Sequence, residues 1–284
     1  MMRKLSIVLT AVAVMALMAT AAFAQPTISG QVYLTNDVTF GDDTELEWGG
    51  YARVNISGSV SDTVSYYARL QAAWENQVPP SLDTVDDFEA YVAQAYVDVK
   101  NLVGAGSTLR LGRQSVSWFV HNYFAGLISG TQNAASLTLN PADSVTLRGF
   151  VQMAKDPIVG AKATFGMPVG TLGLNLRSEV VSGERELGYS VDADVEFAGV
   201  HLNAEFGKRP TYTGDGLDIQ IVGLSFDAIT DAIGWDNFIE YNIQTEKWAV
   251  GISKTVYQNL DLGFTVSGGK DADTALTTEL SVSF

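Results

Sequence analysis

Five arginines and four carboxylates are the side chains of this sequence whose types and spacing point to chemistry. Arg53, Arg69, Arg110, Arg148 and Arg177 each fall on the polar side of a segment that alternates apolar and polar residues. Asp192, Asp194, Glu205 and Glu240 do the same in the second half of the chain. Such charges carry no covalent chemistry by themselves. Set at similar depth on neighbouring strands around an aqueous interior, they make a transverse field that screens solutes by charge and dipole. Two readings follow: an arginine wall facing a carboxylate wall, or solvated interior residues that balance one another.

Enzymatic chemistry finds little support. The chain has 2 histidines and no cysteine. His201 and Glu205 share a polar face, yet four residues of extended strand separate them by about 13 Å. His121 lies in an apolar stretch with no acid near it in sequence. No G-x-S-x-G, H-E-x-x-H or Walker A pattern occurs. No catalytic residue, cofactor or metal site is expected, and without cysteine neither a disulfide framework nor an acylated anchor can form.

The elements that must position these charges are strands. Period-two alternation recurs in about sixteen segments, near 27–38, 45–60, 64–76, 88–100, 107–115, 130–140, 145–154, 158–167, 171–181, 187–197, 200–207, 217–227, 235–243, 247–256, 260–268 and 275–284. Many have the ~9–11 residues that a tilted strand needs to cross a bilayer. The short link between the seventh and eighth segments and the mixed pattern of Ile219 to Phe226 leave fourteen strands as the alternative count. Short turns recur in every second connection, at 61–63, 140–144, 167–170, 198–199 and 257–259. Longer pieces fill the other slots, at 76–87, 116–133, 208–216 and 268–274. This places both termini at one end.

The first residues stand apart. Arg3 and Lys4 precede an apolar run, and Ala22-Phe23-Ala24 has the form of a signal-peptidase site. The expected organisation is a signal peptide over 1–24 and one domain over 25–284. Loss of Arg3 and Lys4 would take the formal charge from -15 to about −17, which argues against a nucleic-acid partner.

A soluble β-sandwich would alternate too. Against it stand the length of the strands and the aromatic residues Trp48, Tyr66, Trp74, Trp235, Tyr241 and Trp248 near segment ends, where girdles meet lipid headgroups. A sheet in lipid must close on itself. The expected fold is an all-β transmembrane antiparallel barrel with its polar faces inward. At this strand count such a barrel leaves an aqueous lumen unless loops fill it. The stretch from Val116 to Asn133, with Trp118, Phe119, His121, Tyr123 and Phe124, is too apolar to hang in water. It either folds into the barrel as a constriction loop, packs on a neighbouring protomer, or lengthens strands five and six.

Two stretches carry a resemblance. Phe88 to Val99 followed by Leu109-Arg110-Leu111-Gly112-Arg113-Gln114 is similar to the region before the third loop of Gram-negative porins, including the phosphate-selective and alginate-export-like porins. The ending Leu280-Ser281-Val282-Ser283-Phe284 resembles the C-terminal signature read by the barrel-assembly machinery. The resemblance implies an outer-membrane location reached through the periplasm, passive passage of small hydrophilic solutes, contact with outer-membrane lipid, and a homotrimer. The competing expectation is a structural or adhesive barrel with a plugged lumen. Solute identity and ion preference stay open.

Overall fold

The computed structural model describes residues 26–41, 44–74, 89–118, 121, 123–214 and 216–284. The expected signal peptide, the piece at 76–87 and Phe119 lie outside the described residues.

Sixteen strands close into one antiparallel barrel in which every strand pairs with its sequence neighbours and β1 pairs with β16. They are β1 (Thr27–Phe40), β2 (Glu45–Ser59), β3 (Val64–Trp74), β4 (Glu89–Lys100), β5 (Thr108–Ser115), β6 (Thr131–Ala142), β7 (Val145–Gln152) and β8 (Val159–Met167). The second half is β9 (Gly170–Val181), β10 (Glu184–Phe197), β11 (Val200–Lys208), β12 (Ile219–Phe226), β13 (Asp236–Asn242), β14 (Lys247–Tyr257), β15 (Leu260–Gly269) and β16 (Ala272–Ser283). The fourteen-strand alternative is thereby set aside.

Alternation sorts the side chains. Val54, Leu111, Phe165, Val191, Leu202, Ile239 and Val282 stand exposed on the outer face. Their strand neighbours of opposite parity, such as Asn175, Asp192, Asn203, Glu205 and Glu240, are buried on the inner face. An apolar exterior around a polar interior inverts a soluble fold and suits a hydrocarbon surround.

At the seam, Gln31 to Phe40 pair with Ser283 back to Thr274. Phe284 extends the pairing, its amide donating to the Gly30 carbonyl and its own carbonyl oxygen accepting the Gly30 amide in return. A Cβ at Gly30 would collide with the Phe284 ring, so the terminal aromatic covers the bare backbone of β1 on the lipid-facing side.

The period slips where the arginine-rich stretch enters β5. Ala93 is skipped in the β3–β4 register, and its carbonyl accepts a bond from Arg113 Nε at 3.1 Å. Opposite, Gly112 has φ 130, and a Cβ there would strike the Ala95 carbonyl. Only glycine fits that approach.

Two connections differ from expectation. The piece expected at 268–274 is a tight turn, because β15 and β16 pair as far as Gly269 and Ala272. Conversely, the connection between β12 and β13, at the end that holds the termini, contains a helix, α1 (Asp227–Ile233), closed by Gly234 in the left-handed conformation.

Candidate functional site: the barrel interior

The interior divides into two sectors. Over β6–β13 the described residues of the stretch 116–130 lie against the inner wall. It begins as an extension of the β5–β6 ladder, with Val116 and Trp118 amides donating to Gly130 and Ile128 carbonyls at 2.9 Å each. Its described residues then meet the inner wall of β8–β13. Irregular backbone inside a barrel must find partners for its amides and carbonyls, and the wall supplies them. Glu240 accepts the amides of Tyr123 and Phe124 at 2.8 and 3.1 Å. Glu205 accepts the Leu127 amide at 2.9 Å and the Ser190 hydroxyl at 2.6 Å. Arg177 donates to the Leu127 carbonyl at 3.2 Å. Lys162 bridges the Trp118 carbonyl and Asp192, both at 2.8 Å. His121 contacts Asn203 Oδ1 at 3.0 Å through Nδ1 and faces Glu205 Oε2 at 3.4 Å through Nε2.

Apolar packing completes the seal. Val116, Leu127 and Ile128 cluster with Ala134, Phe150, Ile219 and Ile221 from the wall. Trp118 meets Phe150 edge-on at 5.4 Å between ring centroids.

The second sector, β1–β5, is lined differently. Tyr33 stacks on Tyr51 at 4.8 Å and Tyr67 on Tyr96 at 5.1 Å. A guanidinium lies over a tyrosine three times: Arg53 over Tyr51, Arg69 over Tyr67 and Arg110 over Tyr96, at 5.2, 5.7 and 3.8 Å. Arg69 Nε also donates to Asn55 Oδ1 at 2.9 Å. Cavities of about 400 Å³ open on both sides of the Arg53–Arg69 level. One is lined by Asp37, Glu47, Tyr51, Gln71 and Tyr91 toward the loop end. The other is lined by Ser57, Ser65, Tyr67, Tyr96 and Lys100 toward the terminal end.

The nine charged residues expected on two facing walls are thus distributed otherwise. Arg53 and Arg69 face the open sector, and no carboxylate lies within ion-pair distance of either among the described residues. Arg110 is held by Asp98 through two bonds of 2.7 and 2.9 Å. Arg177 pairs with Glu179 at 2.9 Å and belongs to the sealed sector. Arg148 is exposed, opposite Lys162 in the β7–β8 register. The expected acidic wall needs correction. Asp192, Glu205 and Glu240 are 1%, 1% and 0% exposed, because the loop covers them and takes up their lone pairs. Only Asp194 of the four is exposed. Of the loop aromatics, Tyr123 is exposed, Trp118 and Phe124 are half-buried, and His121 is buried.

Sequence reasoning missed Lys162, Asp98, Glu179 and Gln114. Lys162 had a signal, as the single basic residue on the inner side of β8. Gln114 is 1% exposed and bonds the Ala134 carbonyl at 2.8 Å.

No protein-family profile and no curated protein matches the chain. Solved structures do match in fold. Salmonella typhi OmpF, in complex with daunomycin, aligns at 11% identity with TM-score 0.65, over 91% of this chain and 97% of that one. A mutant of Rh. blastica porin aligns at 12% identity with TM-score 0.64, over 92% and 100%. Pseudomonas putida OprB, in a low-pH structure, aligns at 12% identity with TM-score 0.62, over 94% and 95%. The fold is the sixteen-stranded closed antiparallel barrel that these solved porins share. At these identities the likeness is one of fold.

Proposed function

We propose that the protein is a passive channel of the outer membrane, admitting ions and small hydrophilic solutes. The observation that carries this reading is the asymmetry of the lumen: a polar sector on β1–β5 with cavities on both sides of Arg53 and Arg69, beside a sector filled by the loop. The apolar outer face supports a lipid surround. The chain is exported through the periplasm after loss of residues 1–24. It is folded by the barrel-assembly machinery, which engages Phe284, and it assembles as a homotrimer with the long loops facing outward. In this reading 116–130 is the constriction loop, with Tyr123 and Phe124 on its lumenal side and Arg53 and Arg69 as the basic wall opposite. The two guanidinium groups, which have no carboxylate partner among the described residues, favour anions at the narrowest level, where little solvent screens them.

The loop's packing against the inner wall of β6–β13 favours a second reading, a structural barrel with a blocked interior. Single-channel recording in a planar bilayer under a salt gradient separates the two. Discrete steps, in groups of three for a trimer, with a reversal potential on the anion side, are expected. A folded but silent barrel would establish the blocked reading.

A further inference from the structure

The terminal end of the barrel holds a cluster that neither the loop nor the open sector uses. Glu196 on β10 and His201 on β11 are direct cross-strand partners. Asp227 follows β12 and opens α1. One ligand atom from each of these three residues lies within 4.8 Å of the others. His201 Nε2 and Asp227 Oδ1 are 3.1 Å apart.

That spacing has meaning for a metal. Ligands about 2.1 Å from a tetrahedral ion stand about 3.4 Å from one another. The His201–Asp227 pair is already close to this distance, and Glu196, an exposed side chain with three torsions, has at most about 1.4 Å to close. Asp227 is held in place: its amide donates to the Gly199 carbonyl at 2.9 Å. Asn237 clamps the preceding residue, accepting the Phe226 amide at 2.9 Å and donating to its carbonyl at 2.8 Å.

The surroundings ask for a cation. His201 and Asp227 line an open cavity of about 380 Å³ that also presents Asp194 and Asp236, and no lysine or arginine lines it. None of Asp194, Glu196 and Asp236 has an ion-pair partner among the described residues. The imidazole separates this cluster from a ring of solvated acids, because nitrogen donors select transition cations over calcium and magnesium.

We propose that Glu196, His201 and Asp227 form a three-ligand site for a divalent transition cation, with Zn2+ as the type, at the terminal mouth of the barrel. A water completes the shell from the cavity side. The bound ion would offset part of the negative charge of this mouth and stand beside the path of permeating ions.

The test is titration of the full chain, folded in detergent micelles, with Zn2+ by calorimetry and with Co2+ by visible absorption. Neither readout depends on conduction, so failure here is distinct from failure of the channel reading. Saturable binding at one ion per chain is expected, undisturbed by equimolar Mg2+. His201→Gln and Asp227→Asn should each weaken it at least about tenfold. Glu196→Gln, at an exposed position, is the variant least able to disturb folding and should also weaken binding. Absence of saturable binding, or unchanged affinity in His201→Gln and Glu196→Gln, overturns the proposal.

Discussion

The two sectors of the lumen obey one strand periodicity and solve different problems. On β1–β5 the inner residues are tyrosines and arginines that satisfy one another by stacking and leave space beside them. On β6–β13 the inner residues are carboxylates, a lysine and isoleucines that satisfy a loop. The difference teaches that a charge on an inward face is not thereby a charge in the passage. A carboxylate that accepts backbone amides has become part of a second wall. Its field is spent locally.

Breaking the sealed sector should have the largest effect. The double substitution Glu205→Ala with Glu240→Ala leaves the amides of Tyr123, Phe124 and Leu127 without acceptors. Each loss costs ~1–3 kcal/mol when buried, so the loop should come free. The denaturation midpoint of the lipid-refolded protein should fall and single-channel current should become larger and noisier. Unchanged traces would mean that the loop is held without these two carboxylates, by its apolar contacts, its ladder bonds and the bonds from Arg177 and Lys162.

Those contacts give the next prediction. Phe150 is 3% exposed and receives the Trp118 edge. Phe150→Ala should destabilise the fold by about 3 kcal/mol, read as a lower denaturation midpoint, with less current noise than the double carboxylate variant.

The open sector should respond in selectivity and not in stability. Arg53→Ala and Arg69→Ala each remove a unit charge without stranding a carboxylate among the described residues. An interaction of about 1 kcal/mol at 4 Å in water corresponds to a roughly fivefold fall in the anion-to-cation permeability ratio. Reversal potentials under a salt gradient measure it. Arg110→Ala is the sharpening control. Its charge is already matched by Asp98, so its removal turns a neutral pair into a bare carboxylate, and selectivity should move toward cations by a similar factor.

The strands were legible because period two is imposed twice, by lipid outside and by water or loop inside. Where the loop turns apolar side chains to the wall, the inner residues are apolar too and the period blurs. Ile219 and Ile221 point inward from β12 because the loop's Leu127 and Ile128 cover them, and this made β12 the weakest segment to read. The loop's apolar composition announced that it needs cover. The carboxylates that hold it lie 78 to 117 residues away, and no local pattern ties His121 to Glu205 or Tyr123 to Glu240. Hence Asp192, Glu205 and Glu240 read as an open acidic wall. The helix α1 was missed because Asp227-Ala-Ile-Thr-Asp-Ala-Ile spans only two turns, too few for a periodic signal.

The most direct test of the two-sector account uses the absence of cysteine from the chain. Gln71→Cys places a thiol on the cavity of the open sector, and Ser190→Cys places one where Ser190 is 2% exposed beneath the loop. A charged, membrane-impermeant thiol reagent added during planar-bilayer recording should react at position 71 and step the conductance down, while leaving position 190 unmodified. Equal reaction at both positions, or reaction at 190 alone, would contradict the division of the lumen described above.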